Sequence, residues 1–397
     1  MPLEQVDLAD PDTFVAGPPH AVFARLRQES PVFLHHRENL PPFWVVTGYR
    51  DVVEASRDWH TFSSQRNGAF LDERSVETGT MVNLDPPGHT RLRGMVSQRF
   101  TRQAIEGLTR RIRRRCTSIL DRVCEKGECD FAEEVAGVFS FTVLADLMGI
   151  PEDDWEHVRR LTTVLDDPLE QTFPDAVERA ARQLLEYANE LTDWRRRSPA
   201  DDLVSEYLAS PALAGRDARR EFELLFFLLI TAGHLTTRHL LSGGMAALSE
   251  NPQQWQLLRQ DPALLESGVE EMLRWVTPVM QFQRTATRDT ILGGRRIAEG
   301  DRVALYYVAA NRDPEIFHDP DRFDVARTPN DHVGFGAGGP HFCLGSRLAR
   351  LQTRIMVEEL LRRVPDIEVM APPEFMSSTF VNGIRWLPVR FTPVPRS

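Results

Sequence analysis

The run Phe222–Leu248 constrains the fold more than any other stretch of this chain. Its opening, Glu223-Leu224-Leu225-Phe226-Phe227-Leu228-Leu229-Ile230, is apolar on nearly every side, which marks a helix buried all round rather than along one stripe. Such a helix crosses the interior, and other elements have to wrap it. Its middle, Ala232-Gly233-His234-Leu235-Thr236-Thr237, sets small residues and hydroxyls where glycine costs helix stability and threonine competes for backbone carbonyls. A local kink or groove is expected there. Close helix packing alone would explain Gly233, but the hydroxyl pair beside it points to a functional groove. His234 reads as a hydrogen-bonded core or cleft histidine rather than a ligand.

Around that run the pattern from about 88 to 276 is almost wholly helical, with breaks at Pro151, Pro174, Pro199, Pro211 and Pro252. Residues 19–29 and 48–58 read as short amphipathic helices, with Pro31–Leu34 and Phe43–Thr47 between them as a small hairpin. Residues 290–310 look like a second hairpin with turns at Gly293-Gly294 and Glu299-Gly300-Asp301. Arg312–Pro329 has no periodicity and reads as an ordered meander, and strand-like chain returns around Ile384–Phe391. The fold class is mainly α with a small β region (α+β). With no linker, low-complexity block or solenoid repeat, a single domain over 1–397 is expected. Its β-rich lobe is about 30–60, 285–310 and 375–395, and its helical lobe about 85–275 and 343–363.

The chain has 47 basic and 58 acidic residues, a net charge of −11. That balance argues against general affinity for nucleic acid or anionic membrane. Met1–Gln5 lacks a basic and apolar leader pattern, so a cytoplasmic protein with no signal peptide or anchor is expected. The longest apolar run, Leu224–Ile230, is too short to span a bilayer.

Four cysteines, 116, 124, 129 and 343, show no spacing typical of a zinc site or a disulfide framework. Cys116 falls on the apolar stripe Leu108, Ile112, Cys116, Ile119, and Cys124 and Cys129 bracket a helix end; all three read as structural. Cys343 differs through its setting. It ends the glycine-rich stretch Phe335-Gly336-Ala337-Gly338-Gly339-Pro340-His341-Phe342-Cys343-Leu344-Gly345, and a helical pattern runs from Leu344 to Arg363. A tight loop delivering a cysteine to a helix N-terminus favours a thiolate, the form that ligates a metal or attacks a substrate.

Two pairs complete the set. Glu271 and Arg274 lie three apart on the helix Leu264–Trp275 and can pair. His89 and Arg93, four apart after Asp85-Pro86-Pro87-Gly88, present two donors from one face of a first turn, suited to carboxylates or a phosphate.

In this order and spacing, these motifs resemble the bacterial cytochrome P-450 superfamily of haem-thiolate monooxygenases over nearly the whole chain. The resemblance implies that Cys343 ligates the iron of haem b, with Phe335, Gly336 and Gly345 shaping the ligand loop. It implies that His89, Arg93, Arg284 and His341 hold the propionates. Glu271 and Arg274 resemble the family's Glu-x-x-Arg pair, and Arg322 in Asp321-Arg322-Phe323 resembles the meander arginine completing the triad. Ala232, Gly233, His234, Thr236 and Thr237 look like the oxygen-activating stretch, with Thr236 holding a water and hydroxyl chain and His234 and Thr237 as further proton routes. Two departures stand out. The ligand loop is one residue longer than the commonest form through Gly339-Pro340, which resembles members oxidising sterols and other bulky lipids. Leu235 replaces the usual acid before the threonine.

By the same resemblance the substrate chamber should be lined by the loop Phe62–Leu84, by Leu229, Ala232, Gly233 and Thr237, by Val279 and Met280, and by Phe380 and Val381. An apolar lining predicts a hydrophobic substrate such as a steroid, terpenoid, fatty acyl or polyketide compound. No Gly-x-Gly-x-x-Gly follows a strand, so electrons are expected from a ferredoxin and its reductase, the protein being a monomer. Arg110, Arg111, Arg113, Arg114 and Arg115, with Arg347 and Arg350, offer a docking face, or simply a solvated helix surface. Retained Thr236 argues against a peroxygenase using hydrogen peroxide directly, and the apolar chamber argues against a non-catalytic haem sensor. A hydrolytic Cys343 lacks a partner base, since His341 is only two residues away.

Overall fold

The computed structural model describes residues 6–37, 40–71, 79–166, 174–210, 213 and 218–396. Met1–Gln5, Pro211 and residues 72–78 of the expected chamber loop lie outside them. The apolar run forms one helix, Ala218–Glu250, of 33 residues. It is continuous helix through Ala232–Thr237. Each threonine hydroxyl there donates to the carbonyl four residues back, Thr236 Oγ1 to Ala232 O at 2.7 Å and Thr237 Oγ1 to Gly233 O at 3.1 Å, so the ladder keeps its partners while the side chains stay on the helix wall. Length and composition would let this helix cross a membrane, but 56% of its most apolar window is buried inside the protein.

The wrapping helices follow from the proline breaks. Pro252 stands at the first position of the helix Pro252–Gln260, where a missing N–H costs nothing, and the helix Pro174–Arg197 is described from Pro174 on. Helices Thr109–Val123, Val138–Met148, Leu265–Val276 and Ser346–Arg363 pack with the central helix into one apolar core that includes Phe139, Leu144, Phe226, Ile230, Leu273 and Ile355. Cys116 belongs to that core, 3.9 Å from the Met356 sulfur.

The β region is built mainly of one five-stranded sheet in the order Val32–Arg37, Leu40–Val46, Arg302–Tyr306, Gln281–Ala286, Phe62–Ser63. The first hairpin pairs Val32 with Val46 as expected. The second is shorter than the sequence suggests. Thr290–Leu292 folds back on Arg295–Ile297, whereas Arg302–Tyr306 leaves for the large sheet, parallel to Leu40–Val46 and antiparallel to Gln281–Ala286. Tyr307–Ala310 then turns into a short helix. No regular element runs between Ala310 and Ser346. At the C-terminus Ile384–Trp386 and Pro388–Arg390 join two different small sheets.

Candidate functional site

Glu271 and Arg274 are both fully buried, with Arg274 Nε and Nη2 each 2.8 Å from one Glu271 oxygen. The remaining donors of Arg274 reach the carbonyls of Asn311 and Pro320 at 2.8 Å and of Arg322 at 3.2 Å. Arg322 therefore enters through its backbone. The guanidinium that reaches Glu271 is Arg327's, Nε to Oε2 at 3.1 Å, and this corrects the expectation for Arg322. Of the two arginines, the described contacts bring only the Arg327 guanidinium to Glu271. Glu271 also accepts from the Asp324 amide and the Asn330 side chain. A buried carboxylate met by this many donors pins the irregular segment in place.

The neighbouring Glu270 makes a second clamp that the sequence reading missed. It takes both a bidentate pair from Arg350, at 2.6 and 2.7 Å, and His332 Nε2 at 3.0 Å. Burial pushes its carboxyl up, but the Arg350 and His332 contacts outweigh that and hold it down at about 2. The Arg350 guanidinium lies 4.6 Å over the Phe335 ring. Arg350, offered above as a docking residue, is thus committed to Glu270, with about a third of its side chain still exposed (36%).

Through these clamps the loop Phe335–Gly345 is presented to a cavity walled on the far side by the central helix. Gly336 has φ +86°, a conformation that favours glycine. The Cys343 amide donates to Phe335 O at 2.9 Å. Cys343 precedes the helix Ser346–Arg363 by three residues rather than starting it. Burial raises its thiol pKa, opposed by the Gly345 amide and the charges of Arg93 and Arg350. In the protein chain alone, then, desolvation outweighs the helix-end effect expected from the sequence.

Ala232, Gly233, Thr236 and Thr237 all line the cavity. A Cβ on Gly233 would stand 3.0 Å from the Leu144 side chain, so close helix packing also requires this glycine. His234 is not on the lining. It is buried edge-on to Phe141, centroids 5.5 Å apart, about 200° around the helix from Thr236, which removes it from the expected oxygen-activating face. Among the described residues no Asp or Glu lines the cavity.

His89, Arg93, Arg284 and His341 converge on the same cavity. His89 and Arg93 share one face of the helix Gly88–Val96. The His89 and His341 rings lie 4.4 Å apart. His89 Nδ1 and His341 Nε2 are buried without hydrogen-bond partners. Burial, with help from the neighbouring arginines, lowers His89 to about 4 and His341 to about 2. Arg93 and Arg284 make no ion pair among the described residues; Arg284 gives one bond, to Gln283 O at 2.6 Å. The nearby Asp85 is engaged by Ser63 and by the Ser64 amide. Buried donors of this kind call for an anion. Set beside a cysteine at the cavity floor and a Gly345 whose added Cβ would meet nothing, they fit an iron porphyrin with two carboxylates.

Leu229 and Val279 line the chamber, with Met81 and Val82 from the described part of the 62–84 loop. Met280 does not; consecutive residues of an extended chain face opposite ways, and Met280 packs into a separate core with Phe14, Phe23 and Tyr306. Phe380 and Val381 stand one layer back. Val381 bridges Val279, and Phe380 rests at 5.3 Å on Phe282, which is the ring that reaches the cavity.

Comparison with known proteins defines the class. A family model described as Cytochrome P-450 matches residues 218–365. The steroid C26-monooxygenase of Rhodococcus jostii (strain RHA1) is 36% identical over 96% of this chain and 84% of its own length. The linalool 8-monooxygenase of Pseudomonas putida is 35% identical over 98% of this chain and 100% of its own. The structure of Mycobacterium marinum cytochrome P-450 CYP268A2 in complex with pseudoionone superposes with TM-score 0.92 at 35% identity, covering 98% of this chain and 99% of that one. The chain belongs to the cytochrome P-450 family. It is a haem b oxidoreductase that incorporates molecular oxygen.

Proposed function

We propose that the protein is a ferredoxin-dependent monooxygenase of a hydrophobic small molecule, of steroid, terpenoid, fatty acyl or polyketide type, with Cys343 as the iron ligand. The observation that carries the site assignment is the cluster of His89, Arg93, Arg284 and His341 facing the same cavity as Cys343, in which two histidine nitrogens are buried without partners and neither arginine has an ion-pair partner among the described residues. Bound haem supplies the activation of dioxygen. The protein's share is positioning. The four donors hold the carboxylate edge, and the Gly345 amide with the Arg93 and Arg350 charges stabilises the thiolate. Leu228, Leu229 and Val279 exclude water. Thr236 has its hydroxyl proton committed to Ala232 O, so its oxygen faces the cavity as an acceptor that holds a water for proton delivery.

With Leu235 in place of an acid, protons come from water, Thr237 or the substrate, and coupling depends on the substrate. Thr236→Ala is expected to raise hydrogen peroxide release at the expense of product by about tenfold in their ratio, at the low end of general acid–base effects. A ratio equal to wild type removes Thr236 from proton delivery. The lack of a lining carboxylate also favours a second reading, direct use of hydrogen peroxide. Turnover driven by ferredoxin and reductase, compared with turnover driven by peroxide, separates the two. Titrating the ferric spin state against sterols, terpenoids and fatty acids tests the substrate class, and no shift with any of them defeats it.

The docking face is smaller than the arginine count suggests. Arg111 and Arg115 pair with Asp146, and Arg113 pairs with Glu358 and Glu359. Arg110, Arg114 and Arg347 are exposed without partners among the described residues, and the Phe342 ring of the ligand loop is also exposed. Arg114→Ala with Arg347→Ala is expected to slow reduction by ferredoxin roughly tenfold at low salt and much less at high salt. A salt-independent rate excludes this face.

A further inference from the structure

Tyr306 and Tyr307 are consecutive, both at least 97% buried, and they face opposite ways. Tyr306 enters the core beside Phe23, ring centroids 5.1 Å apart, and its hydroxyl reaches Leu8 O at 3.4 Å. Tyr307 lines the haem cavity, edge-on to Phe282 at 6.4 Å. Its hydroxyl has no hydrogen-bond partner among the described residues. A phenol on the wall of an otherwise apolar cavity normally finds one.

The surroundings say what the missing partner is. Tyr307 follows directly on the strand Arg302–Tyr306, which pairs with Gln281–Ala286, the strand that carries Arg284. Phe282 is flanked by both, Tyr307 at its edge and the Arg284 guanidinium 6.0 Å over its face. Tyr307 and Arg284 both line this cavity. No carboxylate lines the cavity among the described residues. A phenol donor and a guanidinium lining one cavity, neither paired with a carboxylate among the described residues, suit an anionic group.

We propose that the Tyr307 hydroxyl is a fifth hydrogen-bond donor to the carboxylates of the haem, acting beside Arg284. The group is sensed at the cofactor's edge rather than at the iron, so its loss is read there. In ferric Tyr307→Phe holoenzyme, the resonance Raman band of the carboxylate side chains should shift. Haem loss to excess apomyoglobin should quicken about tenfold, the factor for ~1.4 kcal/mol and within the range for a single hydrogen bond. Tyr307→Gln, which keeps a donor, should restore most of both. An unmoved band, whatever the rate of haem loss, overturns the proposal. So does an unmoved band with weakened substrate-induced spin shift, which would give the hydroxyl to the substrate. The proposal rests on Arg284 holding the same carboxylates, so Arg284→Gln is measured alongside. A band that moves only in Arg284→Gln overturns Tyr307 alone; one that moves in neither variant overturns the carboxylate cradle as well.

Discussion

Cys343→Ala is expected to abolish the thiolate-type Soret band of the reduced carbon monoxide complex. Turnover should fall by well over 100-fold, since losing even an outer-shell partner of a metal site costs about 10–100-fold. The fold should survive, because the loop is held by backbone and by neighbours. The residue 343 amide still donates to Phe335 O, and Glu270, Arg350 and the Phe335 ring keep their contacts. The donors at His89, Arg93, Arg284 and His341 remain to retain haem weakly. The variant therefore separates holding the cofactor from ligating it. A reduced carbon monoxide spectrum of wild-type form would refute Cys343 as the ligand.

Glu271→Ala should give the largest loss of stability of any single substitution in the helix Leu265–Val276. It leaves the Arg274 guanidinium buried at 0% exposure without its counter-charge, a change that costs about 3–5 kcal/mol. The urea midpoint measures it. Arg274→Lys should not rescue the fold. The arginine uses its N–H groups on Glu271 and on three separate carbonyls, a fork that a single ammonium cannot reproduce. Arg322→Ala should change the midpoint little, within about 0.5 kcal/mol, because only its carbonyl is used. Equal losses from Arg322→Ala and Arg327→Ala would contradict the arrangement.

What could be read in advance follows from where the information lies. The central helix was legible because burial on all sides leaves a continuous apolar run, and Cys343 was legible because glycines and a helical pattern flank it. The pairs at 89/93 and 271/274 were legible because helical spacing fixes which residues share a face. Where no period operates, the sequence carried less. Arg322 and Arg327 both lie in chain without regular structure, so nothing local said which one turns inward. Met280 failed for the converse reason: the family resemblance puts it beside Val279 on the lining, and extended chain turns consecutive side chains to opposite faces. Tyr307 is one of two adjacent tyrosines, and only the pairing of Arg302–Tyr306 with Gln281–Ala286 decides which one meets the cavity. The arginine run looked like one free surface because charge is visible in a sequence and its counter-charge, 31 to 246 residues away, is not.

Glu270 and Glu271 are successive residues of one helix, yet one grips the ligand loop through Arg350 and the other grips the meander through Arg274 and Arg327. Both long irregular segments are therefore referenced to the same turn. In mechanical terms the arrangement rejects common-mode noise: a displacement of that turn carries the loop and the meander together and leaves their spacing unchanged. The thiol's position relative to its support is then insensitive to movements of the protein surface, although the chain that delivers it has no regular structure of its own.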